Sequence, residues 1–439
     1  MTTIPPGKPA FSLSKPLAGR FAGHGLKDAK SVWPLFSLAA LSGLNLLDYL
    51  DRQILAAVLT PVKDELHLSD EQLGTIATAF MLGYFLTAPI FGHLGDRLPR
   101  KWLIAAGVFV WSLGTVLSGH ATTFASLIWF RALVGFGEAS FGTISPGWIA
   151  DLFPAQRRNN ALSIFYLAIP VGSALGYIVG AVLAAHYGWR AAFLWAGAPG
   201  LLLALGLFVL REPVRGASDP AMGAAQPTPG GVMAFRQLLK LPDYLLVVAG
   251  YIAQTFAMGG FAFWAPTFLH RVHGMNLQSA GTFFGGALVL TGLTATLLGG
   301  LAATDWQRRT GTGYAWVLAL SALGAAPAAF AAFMLSNLAA AKVALVLSMF
   351  LLFLTTGPVN TLILESVPVM MRATAMAGSI FAIHLFGDLW SAKLVGLLSD
   401  RFGDLQRAVL WVLPSALIVS AFFWVCLVVH TRRLRQATG

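Results

Sequence analysis

Charge is what this 439-residue sequence lacks most. Only 11% of its residues are Asp, Glu, Lys or Arg, against about 25% in a typical soluble domain. That leaves too little polar surface to keep a fold in water. Cysteine is nearly missing as well: Cys426 stands alone, which excludes an intrachain disulfide and a cysteine-rich metal site. No nucleophile–base pair, metal-ligand set or phosphate-binding glycine loop stands out, so the chain does not read as an enzyme and implies no cofactor. The short alternating strands of a membrane β-barrel are absent. Residues 1–31 lack the regions of a secretory signal and contain Pro5, Pro6, Pro9 and Pro16. They read as a disordered tail.

What fills the chain is apolar sequence: 57% of residues are hydrophobic, and mean hydropathy is +0.72. A helix needs about 20 apolar residues to cross a bilayer. Twelve segments are candidates, at 32–58, 72–95, 101–119, 124–150, 160–184, 190–210, 242–269, 280–303, 313–335, 341–364, 374–398 and 408–430. Backbone groups in hydrocarbon must bond within their own segment, so an all-α membrane protein follows. A stretch rich in Pro, Gly and Ala at 213–232 divides the helices six and six. The expected organisation is a tail (1–31), a first six-helix bundle (32–212), a linker with a short interfacial helix near 232–241 (213–241), a second bundle (242–430) and a final tail (431–439).

The formal net charge of +11 suggests nucleic acid at first sight, but position decides otherwise. Of the 29 Lys and Arg residues, 20 fall in loops on one side if the segments alternate, six fall on the other, and Arg52, Arg131 and Lys393 lie within segments. By the positive-inside rule both termini are cytoplasmic. An anionic inner leaflet, not nucleic acid, is the partner of these loops.

The two halves also repeat. Asp96 and Arg100 after segment 2 match Asp305 and Arg309 after segment 8. Asp151 and Arg158 after segment 4 match Glu365 and Arg372 after segment 10. Gly180 with Gly188 roughly matches Gly396 with Gly403. Three matches in one order at nearly constant offset imply two pseudo-symmetric six-helix bundles in parallel repeat.

Against this background the charges inside segments stand out. Asp48, Asp51 and Arg52 interrupt the first segment, where each costs several kcal/mol unless it has a partner, a water-filled cavity or a task. Placing Asp51 at a helix end is the plainer alternative. Arg131 and Glu138 lie two turns apart on one face of the fourth segment, with Glu138 about 20 Å from an outer start near Phe124. Glu138 there is either a proton carrier or permanently paired for structure. Arg52 is the expected partner of Glu138, with Asp51 as the nearest competitor for that arginine. Gly135 and Gly137 are read as leaving room beside Glu138. Glycines Gly172, Gly176 and Gly180 give the fifth segment a smooth face, for either a pivot or plain packing. In the second half Gln254, Phe261, Phe263, Trp264, His384 and Asp388 offer an aromatic and polar wall, or else lipid-facing bulk. Gly92, Gly95, Asp96, Arg97 and Arg100 form a tight turn, either an ordinary positive-inside loop or, with Asp151, Arg158, Asp305, Arg309, Glu365 and Arg372, a cytoplasmic gate.

The loop Gly92–Lys101, its echo at 301–309 and the six-and-six division resemble the major facilitator superfamily. The stretches Asp48–Arg52, Ala88–Arg97, Arg131–Ser140 and Phe165–Tyr177 are similar to its spinster branch. That resemblance implies alternating access and an amphipathic substrate such as a lysophospholipid or sphingosine 1-phosphate. It implies coupling to protons, with Asp51, Arg52 and Glu138 as the polar cluster, Asp48 and Arg131 beside them, and Tyr84 and Tyr166 as cavity candidates. A small organic anion or drug is the alternative cargo, and a non-transporting receptor or scaffold the third reading. The setting expected is the inner membrane of a bacterium, with the protein acting as a monomer.

Overall fold

The computed structural model describes residues 32–215, 218, 236–368 and 371–438. The expected N-terminal tail and most of the linker lie outside these residues. The described chain is all helical: α1 (Trp33–Ala57), α2 (Leu59–Leu66), α3 (Asp70–Arg97), α4 (Arg100–Ser118), α5 (Phe124–Leu152), α6 (Ala155–Tyr187) and α7 (Trp189–Gly206) form the first half. The second half comprises α8 (Pro242–Arg271), α9 (Leu277–Thr310), α10 (Gly313–Met334), α11 (Leu338–Phe353), α12 (Thr356–Glu365), α13 (Arg372–Ile383), α14 (Leu389–Phe402) and α15 (Leu405–Thr438). Among the described residues, eleven helical spans are long and apolar enough to cross a membrane. The twelfth is α1, which carries Asp48, Asp51 and Arg52.

All twelve expected segments are found, with four departures. Segment 1 stops at Ala57, and the short α2 follows it. Segment 10 is two helices, because Pro358 has no N–H for the Leu354 carbonyl and the chain bends between α11 and α12. Segment 11 is interrupted by a π-helical turn at His384–Asp388. The last helix continues to Thr438 instead of giving way to a tail at 431. Of the interfacial helix, residues 236–238 are helical, and Leu238 is buried in the second half.

Helix ends follow local chemistry. Ser69 and Thr123 make capping boxes that start α3 and α5, and Asn276 and Asn337 cap α9 and α11. Gly188, Gly311 and Gly403 take positive φ where helices end. The capped starts share one end of the molecule, called here the far end. The opposite end carries the Asp96 loop and the linker and is called the basic end. Exposed Trp129, Tyr187, Trp195 and Trp411 ring the far end, and Trp102 stands near the basic end, as aromatic side chains do at membrane interfaces.

Burial shows how the halves are joined. Toward the far end one continuous core contains residues of both, from Ile54, Leu73 and Tyr177 to Trp264, Phe284 and Leu413. Toward the basic end the core divides. One cluster, around Trp111, Phe141 and Trp148, belongs to the first half; another, around Tyr244, Ile363 and Trp424, belongs to the second. The bundles therefore meet at the far end and part toward the basic end.

Glycines set the close approaches, in places the sequence reading did not assign. Gly172, Gly176 and Gly180 press α6 onto the Leu46 and Leu50 carbonyls and onto Ile54 and Ala57 of α1. These contacts lie within the first bundle, where plain packing would place them. Gly135 and Gly137 leave no room: a Cβ there would meet the Phe80 carbonyl of α3 or the Gly107 carbonyl of α4. The seam between bundles uses Gly74 and Gly396 where α3 meets α14, and Gly281 and Gly285 where α9 meets α6.

Candidate substrate and coupling site

The charges of α1 and α5 converge. Arg52 Nε donates to Glu138 Oε2 at 2.7 Å and lies 3.5 Å from Asp48 Oδ1. Arg52 therefore meets Glu138, and its competitor is Asp48 instead of Asp51. The reason is helical geometry: Asp48 and Arg52 are one turn apart on the same face, whereas Asp51 points about 100° away. Asp51 instead accepts from Arg131 Nη1 at 3.1 Å and from the Thr115 hydroxyl of α4. Asp51 lies deep in the bundle and is 1% exposed, so it is not a helix-end residue.

Four of the five charged groups are sealed, with side-chain exposures of 2% or less for Asp48, Asp51, Arg131 and Glu138. Arg52 is the partly open member at 17%. Its guanidinium sits 4.6 Å from the Tyr49 ring centroid and 5.0 Å from that of Tyr84, a cation–π arrangement that a planar guanidinium suits.

Two adjoining cavities between the bundles share Tyr49, Arg52, Met81 and His384. One, about 200 Å³, also borders Gln53, Arg131, Phe263 and Asp388. The other, about 400 Å³, is polar at Arg52, Tyr84 and His384 and then runs along Phe85, Ala88, Pro89, Ala377, Ile380 and Phe381. Phe85 and Phe381 touch across the bundles at 4.9 Å between ring centroids. Ile380 and Phe381 are about half exposed, so the apolar end reaches the outer surface between α3 and α13. His384 Nδ1 lies 3.0 Å from Asp388 Oδ2, on the π-helical turn that Gly387 packs against α8.

Other expected wall residues lie elsewhere. Phe261 and Trp264 are core: Phe261 packs on Phe333, and the Trp264 indole donates to the Ala392 carbonyl. Phe263, the third aromatic expected in this wall, does border the smaller cavity. Gln254 is buried and bonds to the Leu352 carbonyl and Thr355 Oγ1 at the bend between α11 and α12. Tyr166 is half exposed and leans edge-on against Phe165.

At the basic end, Gly92 and Gly95 seat α3 on Thr143 and Ile144 of α5. Arg100 Nη2 donates to Asp151 Oδ2 at 2.5 Å, and Arg158 Nε donates to the Ala150 carbonyl. Glu212, at the end of the first bundle, and Arg215, in the linker, close this turn at both helix ends. Glu212 accepts from the Arg100 and Lys101 N–H groups at the start of α4, while Arg215 donates to the Gly95, Asp96 and Leu98 carbonyls at the end of α3. Asp96 and Arg97 are exposed. The echo in the second half differs. There α9 stays helical to Thr310, so Asp305 and Arg309 form an exposed pair within one helix, at 2.7 Å, a contact of small energetic weight. Glu365 is exposed, and the side chain of Arg372 lies outside the described residues.

The far end holds a cluster that the sequence reading missed. Asp70 Oδ1 accepts from Lys63 at 2.6 Å and from Arg271 at 2.7 Å, and Asp70 Oδ2 accepts from Ser399 at 2.6 Å. Asp400 accepts from the Asp70 and Glu71 N–H groups and so caps α3 from the other bundle. A signal was present: Gly396 and Asp400 repeat the spacing of Gly92 and Asp96.

The family profile described as Major Facilitator Superfamily matches residues 41–383. Protein spinster homolog 1 of Xenopus laevis is 35% identical over 400 residues, covering 86% of this chain and 76% of that protein. The sphingosine-1-phosphate transporter SPNS2 of Danio rerio is 33% identical, with 84% and 77% covered. The crystal structure of a bacterial homolog to the human lysosomal transporter spinster, inward-facing and unoccupied, superposes with a TM-score of 0.80 at 25% identity, over 91% of this chain and 96% of that one. A D-xylose–proton symporter shares the fold alone, at a TM-score of 0.72 and 18% identity.

Proposed function

Since this chain belongs to the major facilitator superfamily, in its spinster branch, we propose that it carries an amphipathic lipid of the lysophospholipid or sphingosine 1-phosphate kind by proton-coupled alternating access. The observation that carries this reading is the shape of the larger cavity. It is cationic and hydrogen-bonding at one end, around Arg52, and apolar from Phe85 to Phe381, where it meets the surface between α3 and α13. A headgroup phosphate suits Arg52, the partly exposed cation of the cluster. The acyl chain suits the aromatic and aliphatic wall, with its end toward the bilayer. A small polar anion would leave most of that wall without a partner, which weighs against the drug or organic-anion alternative.

The twenty-to-six distribution of basic residues supports a cytoplasmic basic end, and the parting of the cores supports an inward-open state. The Arg100–Asp151 turn and its caps are then the cytoplasmic gate elements. Uptake of a radiolabelled lysolipid into proteoliposomes under an imposed pH gradient tests the proposal. Gradient-driven uptake is expected, with loss in Arg52→Ala. No uptake of any lysolipid, beside uptake of a small organic anion, would reject it.

A further inference from the structure

The charged cluster does not balance. Asp48, Asp51 and Glu138 carry three carboxyl groups, while Arg52 and Arg131 carry two guanidiniums. All are buried apart from the partly open Arg52, and an uncompensated charge in such a place is strongly unfavourable. Of the cluster's three buried atoms without a partner, Arg131 Nε is a donor beside the Asp51 pair, and the other two show where the imbalance sits. Asp48 Oδ1 and Glu138 Oε1 are both buried, and neither receives a hydrogen bond. Their carboxyl groups flank the same Arg52 Nε, at 3.5 and 2.7 Å, and lie within hydrogen-bonding reach of one another. Asp51 is differently placed: its two oxygens are taken by Arg131 and Thr115.

We propose that Asp48 and Glu138 form a carboxyl–carboxylate pair that holds one shared proton, and that this pair, rather than Asp51, is the coupling element of the carrier. One proton supplies the donor that both unmet oxygens lack, and it brings the five-residue cluster to neutrality. No bond other than O–H is made or broken; the proton is taken from and returned to water in the cavity.

The surroundings fit this assignment. Around the pair, α1 contributes Tyr49, Asp51 and Arg52 and α3 contributes Tyr84, while Arg131 of α5 reaches Asp51. Across the cavity stand His384 and Asp388. Arg52 lies between the cavity and the pair, so an anionic headgroup that draws Arg52 forward withdraws the cation from both carboxyl groups. A second proton is then favoured on the pair, which links headgroup binding to proton uptake. This coupling rests on the carrier reading above; the shared proton itself can be tested without transport.

The test is infrared difference spectroscopy of the purified protein in lipid across a pH step, reading the C=O stretch of a protonated carboxyl group. A titrating band worth one carboxyl per protein is expected. It should be lost in both Asp48→Asn and Glu138→Gln and kept in Asp51→Asn. Asp48→Glu, which restores a carboxyl, should keep it, separating chemistry from misfolding. Survival of the band in Asp48→Asn, or its loss in Asp51→Asn with Asp48→Glu intact, overturns the proposal. Lipid transport with the band surviving in Asp48→Asn rejects the pair alone; the expected band pattern without lipid transport supports the pair and rejects the carrier reading.

Discussion

At the scale of single residues, the cluster depends on the shape of its groups as well as on their charge. Arg52 presents a donor to Glu138 and a flat cation to Tyr49 and Tyr84. Lysine keeps the charge but not the plane or the Nε donor. Losing a charged hydrogen bond and a partly desolvated cation–π contact costs about 2 kcal/mol or more. Arg52→Lys should therefore lower lysolipid transport about tenfold or more in proteoliposomes; near-normal transport would show that charge alone suffices. Thr115 makes a second case. Its hydroxyl is a buried donor to Asp51, so Thr115→Val leaves a carboxylate oxygen unsatisfied at about 1–3 kcal/mol. A lowered thermal unfolding midpoint in detergent is expected, with Thr115→Ser close to the parent. Equal midpoints for valine and serine would contradict this role. The sequence displayed these charges plainly, because an ionisable residue in an apolar run is conspicuous. Which carboxylate shares Arg52 was also open to reading, since the i, i+4 spacing favours Asp48. The role of Thr115 beside Asp51 was not, because Thr115 is an unremarkable polar residue in a separate helix, and nothing in the sequence places α4 beside α1.

At the scale of helices, glycine marks where backbones touch, but sequence alone does not say which helix lies opposite. The stripe on α6 is visible from its spacing, yet its partner is α1 within the same bundle. The seam between bundles instead rests on glycines such as Gly74, which no periodicity singles out, and Gly396, which the internal repeat marks without showing what lies opposite it. Gly396 gives a clear test. Replacing a helical glycine by alanine should gain about 1 kcal/mol of helix propensity. A Cβ at Gly396, however, would run into the Asp70 carbonyl of α3, so the seam must open or shift. Gly396→Ala should therefore loosen the far end while leaving each bundle folded. Spin labels at His120 and Ser336, in exposed far-end loops of opposite bundles, should report a longer distance distribution in electron–electron resonance. An unchanged distribution would mean that the seam yields locally and that Gly396 does not govern closure. The bend between α11 and α12 and the π-helical turn at His384 were likewise hidden. Pro358 hinted at the first, while the second depends on Gly387 packing against α8.

At the scale of the molecule, the two six-helix halves were legible from hydropathy, loop charge and the internal repeat, because these are set by the membrane itself. The state of the carrier was not legible, since it depends on contacts between halves far apart in sequence. Those contacts gather on the N-terminus of α3. Asp70 ties Lys63 of its own half to Arg271 and Ser399 of the other, and Asp400 caps the same helix across the seam. The two carboxylates play different parts. Asp70 compensates two cations, and its own exposure is only 5%, so Asp70→Asn leaves Lys63 and Arg271 facing one another with no anion between them. Asp400 meets backbone N–H groups at the positive end of the α3 dipole, and Asp400→Ala removes that attraction without creating a like-charge pair. Both contacts require the far end to be closed, so their loss should shift the balance toward far-end opening, by about 1–3 kcal/mol or roughly 5- to 150-fold in the ratio of states. The larger shift is expected for Asp70→Asn, because repulsion adds to the lost bonds. The same label pair at His120 and Ser336 measures it, and added salt separates the two: screening should reduce the excess opening of Asp70→Asn more than that of Asp400→Ala. Equal shifts with equal salt response would show that the cluster acts as a hydrogen-bonded cap alone and that its ion pairs contribute nothing to closure.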